Sequence, residues 1–173
     1  MSMTMKDILA DLAAYHFWAD KRLLDALRKL PADACTQELQ SSFPSLRETV
    51  AHMLQAESTW LQRLQMKEKP VPLDDLPADI GGLADRLLEH NEALHRWVLA
   101  QNPSFFEHVI AYYSLQKQYY KTPVYQCLLQ LLNHATYHRG QIVTMLHQLG
   151  VSKIPGTDYI LFKRSVKKGS SLS

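Results

Sequence analysis

Apolar residues recur at helical spacing in four long stretches of the chain. In the first, residues 4–29, Ile8, Leu12, Tyr15, Ala19, Leu23 and Ala26 fall at i, i+3 or i+4 intervals, which predicts an amphipathic helix ended by Pro31. Residues 31–44 read as a loop with room for one short turn of helix. Ser45-Leu-Arg-Glu48 has the pattern of a capping box, with Ser45 as N-cap, and opens a second helix to about residue 67. Pro70, Pro72 and Pro77 make the following segment a loop. A third helix is expected over about 80–101, with Gly81 and Gly82 blurring its start. Asn102-Pro103 breaks the chain, and FEHVIAYYSLQKQYYK, rich in Tyr and β-branched residues, predicts a short hairpin with residues 114–116 at its tip. Thr122-Pro123 reads as an N-cap threonine followed by proline at the first helical position. The fourth helix runs from there to Leu149, with Gly150 at C′. Four long helices joined by loops predict an all-α four-helix bundle, with the hairpin just before the last helix.

Composition narrows the class. The 173 residues suit one domain with a real core, expected over 1–162 with IPGTDYILF packed back on the bundle. The cluster Lys163, Arg164, Lys167 and Lys168 lies in a Gly/Ser-ending segment, so 163–173 is expected as a disordered, solvated tail. A formal net charge of +2 is too balanced to point to a nucleic-acid or membrane partner. Two cysteines, Cys35 and Cys127, far apart and without a CxxC, fit free thiols in a reducing cytoplasm. The N-terminus lacks the pattern of a signal peptide, and no apolar run approaches the roughly 18 residues of a membrane span. The expected setting is therefore cytoplasmic.

The candidate chemistry lies in HATYHRGQ, residues 134–141. His134 and His138 are four residues apart, about 40° on one helix face, in the sector that also holds Cys127, Leu131, Ile142, Met145 and Leu149. Neutral imidazoles at i and i+4 can direct two nitrogens at one divalent cation, as in the H-E-x-x-H zinc helix, although the glutamate of that motif is absent here. The pair alone leaves two readings open: a metal site, or two core-edge histidines bonded to neighbours. A third ligand would decide, and His16, His52, His90, His95 and His108 are the candidates on other elements. His147, roughly 220° from His134, faces away, and Cys127, about 10 Å along the axis, is out of reach. A single Glu92-x-x-His95, with no second copy, argues against a di-iron carboxylate bundle. Amphipathicity by itself places His52 more than about 100° from the apolar stripe of the second helix, hence on the surface.

Three further segments extend the picture. YHFWADKRLLDAL, TVAHMLQAESTWLQRL and LLNHATYHRGQIVTMLHQLG, in that order, resemble the DinB/YfiT-like family of metal-dependent enzymes, which is unrelated to the DNA polymerase of similar name. The resemblance runs from Tyr15 to about Phe162, and its most specific part is H-x-x-x-H-R-G-Q. It implies a bundle with up-down-down-up connectivity and a homodimer. It also implies a divalent metal, nickel or zinc, held by His52, His134 and His138. The activities it implies are those of a hydrolase or a transferase using a low-molecular-weight thiol on a small-molecule substrate. The alternative is a non-catalytic metal-binding dimer of the stress response.

Other residues stand out. Glu57 projects into the apolar stripe of the second helix, where a carboxylate needs a cationic partner, and Arg22 and Arg139 are the candidates. Glu57 and Arg139 are also the candidate catalytic residues, with a buried ion pair that fixes helix register as the competing role. Tyr15, Trp18 and Trp60 are candidates to line a substrate cleft, or plain core. Gly140, costly in mid-helix by roughly 1 kcal/mol, suggests close approach of a ligand or of another helix beside His138.

Overall fold

The computed structural model describes residues 3–67, 69–114 and 116–170. The chain forms α1 (Met5–Leu27), a short α2 (Ala32–Thr36), α3 (Leu46–Leu64), α4 (Ile80–Ala100), a 3-10 turn (Pro103–Glu107), β1 (Val109–Tyr113), β2 (Tyr119–Pro123), α5 (Val124–Gln148) and α6 (Tyr159–Ser170). The helix starts follow local capping chemistry. Thr4 and Asp7 form a reciprocal capping box on α1, Ser45 accepts from the Glu48 amide on α3, and Asp79 accepts from the Gly82 amide on α4. The start of α5 differs from the sequence reading. Thr122 is the last but one residue of β2, paired with Ile110, and Pro123 stands at the N-cap without a side-chain bond. The ladder takes the threonine that a free helix start would have used. Gly150, at φ +75°, closes α5 in the left-handed conformation.

The connectivity follows from contacts at the helix ends. Arg28, just past α1, pairs with Asp85 near the start of α4, and Lys6 bonds the Gln101 carbonyl at the other end, so α1 and α4 are antiparallel. Arg47, at the start of α3, donates to the carbonyls of Ala78 and Pro77 just before α4, so α3 and α4 run parallel. Thr49 reaches Met145, and Gln40 ahead of α3 meets Gln148 at the end of α5, so α3 and α5 are antiparallel. The order is up-down-down-up. Each of α1 and α3 packs against both α4 and α5. The proline-rich segment between α3 and α4 spans the bundle length that a parallel pair requires.

The core has three tiers. One apolar cluster gathers Leu23, Leu27, Leu46, Val50, Leu54, Leu83, Leu87, Ile142 and Met145. Another gathers Leu9, Ala13, Leu64, Leu94, Val98, Phe106, Val124 and Leu128 around the hairpin end. Between them lies a fully buried polar layer of His16, Asp20, Glu57, Asn91 and Arg139.

That layer explains a rotation in the reading of α1. The buried face carries Leu9, Ala13, His16, Ala19, Asp20, Leu23, Leu24 and Leu27, while Ile8 is exposed and Leu12 and Tyr15 are half-buried. His16 and Asp20 sit on the inner face, so the apolar pattern points to a neighbouring one, which α6 covers. Phe162 packs against Tyr15 at 5.9 Å and Trp18 at 5.7 Å, and Lys163 bonds Asp11. Residues 163–170 thus continue a helix where a disordered tail was expected, and 171–173 lie outside the described residues. The hairpin forms with Tyr113 opposite Tyr119; Leu115, in its expected tip, is outside the described residues. Among the described residues, no helix is long and apolar enough to cross a membrane.

Candidate metal centre

α5 places His134 and His138 one turn apart, and antiparallel α3 brings His52 opposite them. The three Nε2 atoms converge: His134 Nε2 lies 3.0 Å from that of His138 and 3.3 Å from that of His52. His138 is buried, and His52 and His134 are half-buried. The site therefore sits at the seam between two helices. That placement reconciles His52 with its polar helix face: a stripe marks the side turned to the bundle centre, and a residue in the seam lies off it.

Burial, with the neighbouring His138 and His52 rings, pushes the His134 pKa down to about 4. Burial also lowers those of His52 and His138. All three rings are then neutral at pH 7 and present lone pairs. Neutral rings can place at most one proton in each nitrogen–nitrogen contact, whereas one shared cation satisfies all three. Ligands on a tetrahedral ion at about 2.0–2.1 Å are about 3.3 Å apart, close to the observed separations. His52, His134 and His138 form a group that could hold a metal ion.

Three residues not singled out in the sequence frame this group. Phe43 stacks on His52 with ring centres 4.3 Å apart and lies 5.8 Å from His138. Gln141 Oε1 is 2.8 Å from His138 Nδ1, and its Nε2 donates to Ser42 Oγ at 2.6 Å. The signal for Gln141 was present: it lies three residues after His138, within reach on a helix. Phe43 and Ser42 lie in an irregular segment whose path no periodicity encodes.

Glu57 and Arg139 belong to the central polar layer instead. Arg139 Nη1 donates to Asp20 Oδ1 at 2.8 Å and to His16 Nδ1 at 3.1 Å, and Nη2 donates to Thr136 Oγ1 at 2.6 Å. Asn91 Nδ2 donates to Asp20 Oδ2 at 2.8 Å. The partner of Glu57 is neither candidate arginine: Oε1 lies 3.1 Å from His16 Nε2, off hydrogen-bond alignment. Arginine can only donate, so in the neutral ring His16 accepts at Nδ1 and carries its proton at Nε2, toward Glu57. Burial holds the Glu57 carboxyl above its ordinary range, against the pull of His16. Arg22 lies elsewhere, on the Gly156 carbonyl.

The remaining candidates also fall into place. His16 is in the polar layer, His90 and His95 are half-buried on α4, and His108 and His147 are exposed. Cys127 is core, its thiol pushed up to about 11 by burial. Glu92 pairs with Arg96 on a solvated face. Tyr15 and Trp18 pack under α6, and Trp60 meets Tyr112 of the hairpin edge to face. Among the described residues a Cβ on Gly140 would meet nothing within 4 Å, so none of their helices packs on it.

Fold and site together define a helical bundle with a three-histidine group in the seam between its second and fourth long helices. The chain belongs to the DinB family, whose pattern it matches over residues 1–169. It is 29% identical to Protein DinB of Bacillus subtilis (strain 168) over 176 residues, covering 91% of this chain and 95% of that one. Its fold is similar to the crystal structure of a DinB-like protein from Bacillus cereus ATCC 10987, with a TM-score of 0.70 at 20% identity, covering 90% of this chain and 99% of that one. A DinB-like protein from Bacillus subtilis gives a TM-score of 0.68 at 15% identity, over 85% and 97% of the two chains.

Proposed function

We propose that this chain is a metal-dependent enzyme, a hydrolase or a low-molecular-weight-thiol S-transferase, working on a small-molecule substrate at a divalent centre of His52, His134 and His138. The observation that carries the reading is the convergence of three neutral Nε2 atoms at 3.0 and 3.3 Å. A divalent ion held there, nickel or zinc, supplies a Lewis acid that lowers the pKa of a ligated water or thiol. Three protein ligands leave a position open, as catalytic rather than structural sites do. Phe43 shields one flank of His52 from water, and the segment around Ser42 is tied down over the rings. A homodimer, as the family resemblance implies, is part of the same reading.

One observation favours the non-catalytic reading. Among the described residues, no carboxylate contacts the three rings, so no general base stands beside them; the buried acids Asp20 and Glu57 are engaged in the polar layer. Turnover separates the readings. Metal-loaded protein is assayed with several thiols and the electrophile monochlorobimane, and with ester and amide substrates. Metal-dependent turnover lost in His134→Ala is expected. No turnover with any thiol, substrate or metal would leave the metal-binding dimer as the better reading.

A further inference from the structure

A metal ligand must present a lone pair, and a neutral imidazole has only one nitrogen free of hydrogen. For His138 that nitrogen has to be Nε2, because Nε2 is the atom facing His134. What decides between the two tautomers is the group at Nδ1. That group is Gln141, whose Oε1 lies 2.8 Å away and can only accept. Nδ1 therefore carries the proton and Nε2 the lone pair.

The amide is itself held. Gln141 Nε2 donates to Ser42 Oγ at 2.6 Å, and Ser42 Oγ lies 3.4 Å from the Tyr137 hydroxyl. Its oxygen faces the ring and its nitrogen is engaged on the far side. The same bond ties the segment before α3, including Phe43 on the His52 ring, to α5. Ring rotation at His138 and the position of the Phe43 cover are thus set by one side chain.

We propose that Gln141 is the positioning residue of the centre: it fixes His138 in the Nδ1–H tautomer, aims its Nε2, and anchors the Ser42 segment over the rings. The inference rests on the metal-site reading above and adds a residue that touches no ion. Outer partners of metal-bound histidine act by orienting the ring and raising its basicity, and their loss costs about 10–100-fold in metal affinity.

Two measurements test it. The first uses metal-free protein: long-range proton–nitrogen NMR of the His138 ring in wild type, Gln141→Leu and Gln141→Glu. The Nδ1–H tautomer is expected in wild type and in Gln141→Glu, and a mixture or the Nε2–H form in Gln141→Leu. The second is zinc affinity by chelator competition. Gln141→Leu should bind about 10–100-fold more weakly, and Gln141→Glu, whose carboxylate accepts the same bond, should restore or exceed wild-type affinity. A wild-type ring in the Nε2–H form overturns the proposal. So does a Gln141→Leu protein that keeps its helical fold and binds zinc within about twofold of wild type. Wild-type protein that binds no zinc while showing the Nδ1–H tautomer would instead defeat the metal-site reading and leave the hydrogen bond as a purely structural one.

Discussion

Replacing Arg139 by methionine probes the central polar layer. The guanidinium is 3% exposed and donates to Asp20, His16 and Thr136. Methionine fills much of the same volume and supplies no donor. Among the described residues Asp20, 1% exposed, then keeps Asn91 as its hydrogen-bond donor, with His16 Nδ1 3.7 Å from its carboxylate, and the second carboxyl, Glu57, loses a nearby positive charge. Removing one partner of a buried ion pair costs about 3–5 kcal/mol, because the other charge stays buried and uncompensated. For a domain of this size, each 1 kcal/mol moves the melting temperature by about 2–4 °C, so a drop of roughly 6–20 °C is expected. Urea and thermal denaturation of the metal-free protein read it directly. Asp20→Asn in the Arg139→Met background should then recover part of the loss, since it removes the stranded charge. A loss below about 1 kcal/mol, or a second substitution whose cost simply adds, would refute the claim that this layer is held by the arginine.

Three further outcomes follow from the same structure. Gly140→Ala adds a methyl in open space to a helix interior and should stabilise the protein by up to about 1 kcal/mol in urea denaturation; a loss would show that a bound ligand or a second chain meets that position. Gly150→Ala, at φ +75°, should cost about 1–2 kcal/mol, and an unchanged melting temperature would contradict the left-handed cap. Glu57 has a folded-state pKa above its unfolded value of 4.5, so it favours the folded state at low pH and that contribution is lost as pH rises through the folded value. As pH rises above 4.5 wild type should therefore lose stability relative to Glu57→Gln, and a difference that stays flat or changes sign would place the proton elsewhere.

Much of the fold was legible because its signals are local. Proline and asparagine breaks bounded the long helices, Ser45 marked the start of α3, and the tyrosine-rich run folded as a hairpin. Signals that depend on a neighbour were read less well. α1 was turned by one position because its inner face is polar, with His16 and Asp20 in line with Ala13 and Leu23, and hydrophobicity alone cannot see a buried charge layer. Thr122 looked like a cap because its strand partner, Ile110, is far away in sequence. In the site, the His134–His138 spacing was visible within one helix. His52 was not, since periodicity reports the bundle axis and this group lies in a seam; only the resemblance to a family pointed to it. An apolar stripe suggests an arginine as the cation for Glu57; the structure supplies a histidine, His16, 3.1 Å away.

The most direct test of a divalent centre at His52, His134 and His138 is elemental analysis of untagged protein, purified without chelator, for wild type and His52→Ala side by side. About one divalent ion per chain in wild type and none in His52→Ala is the expected result. Metal-free wild type, even after incubation with zinc or nickel, or full metal content in His52→Ala, would contradict it.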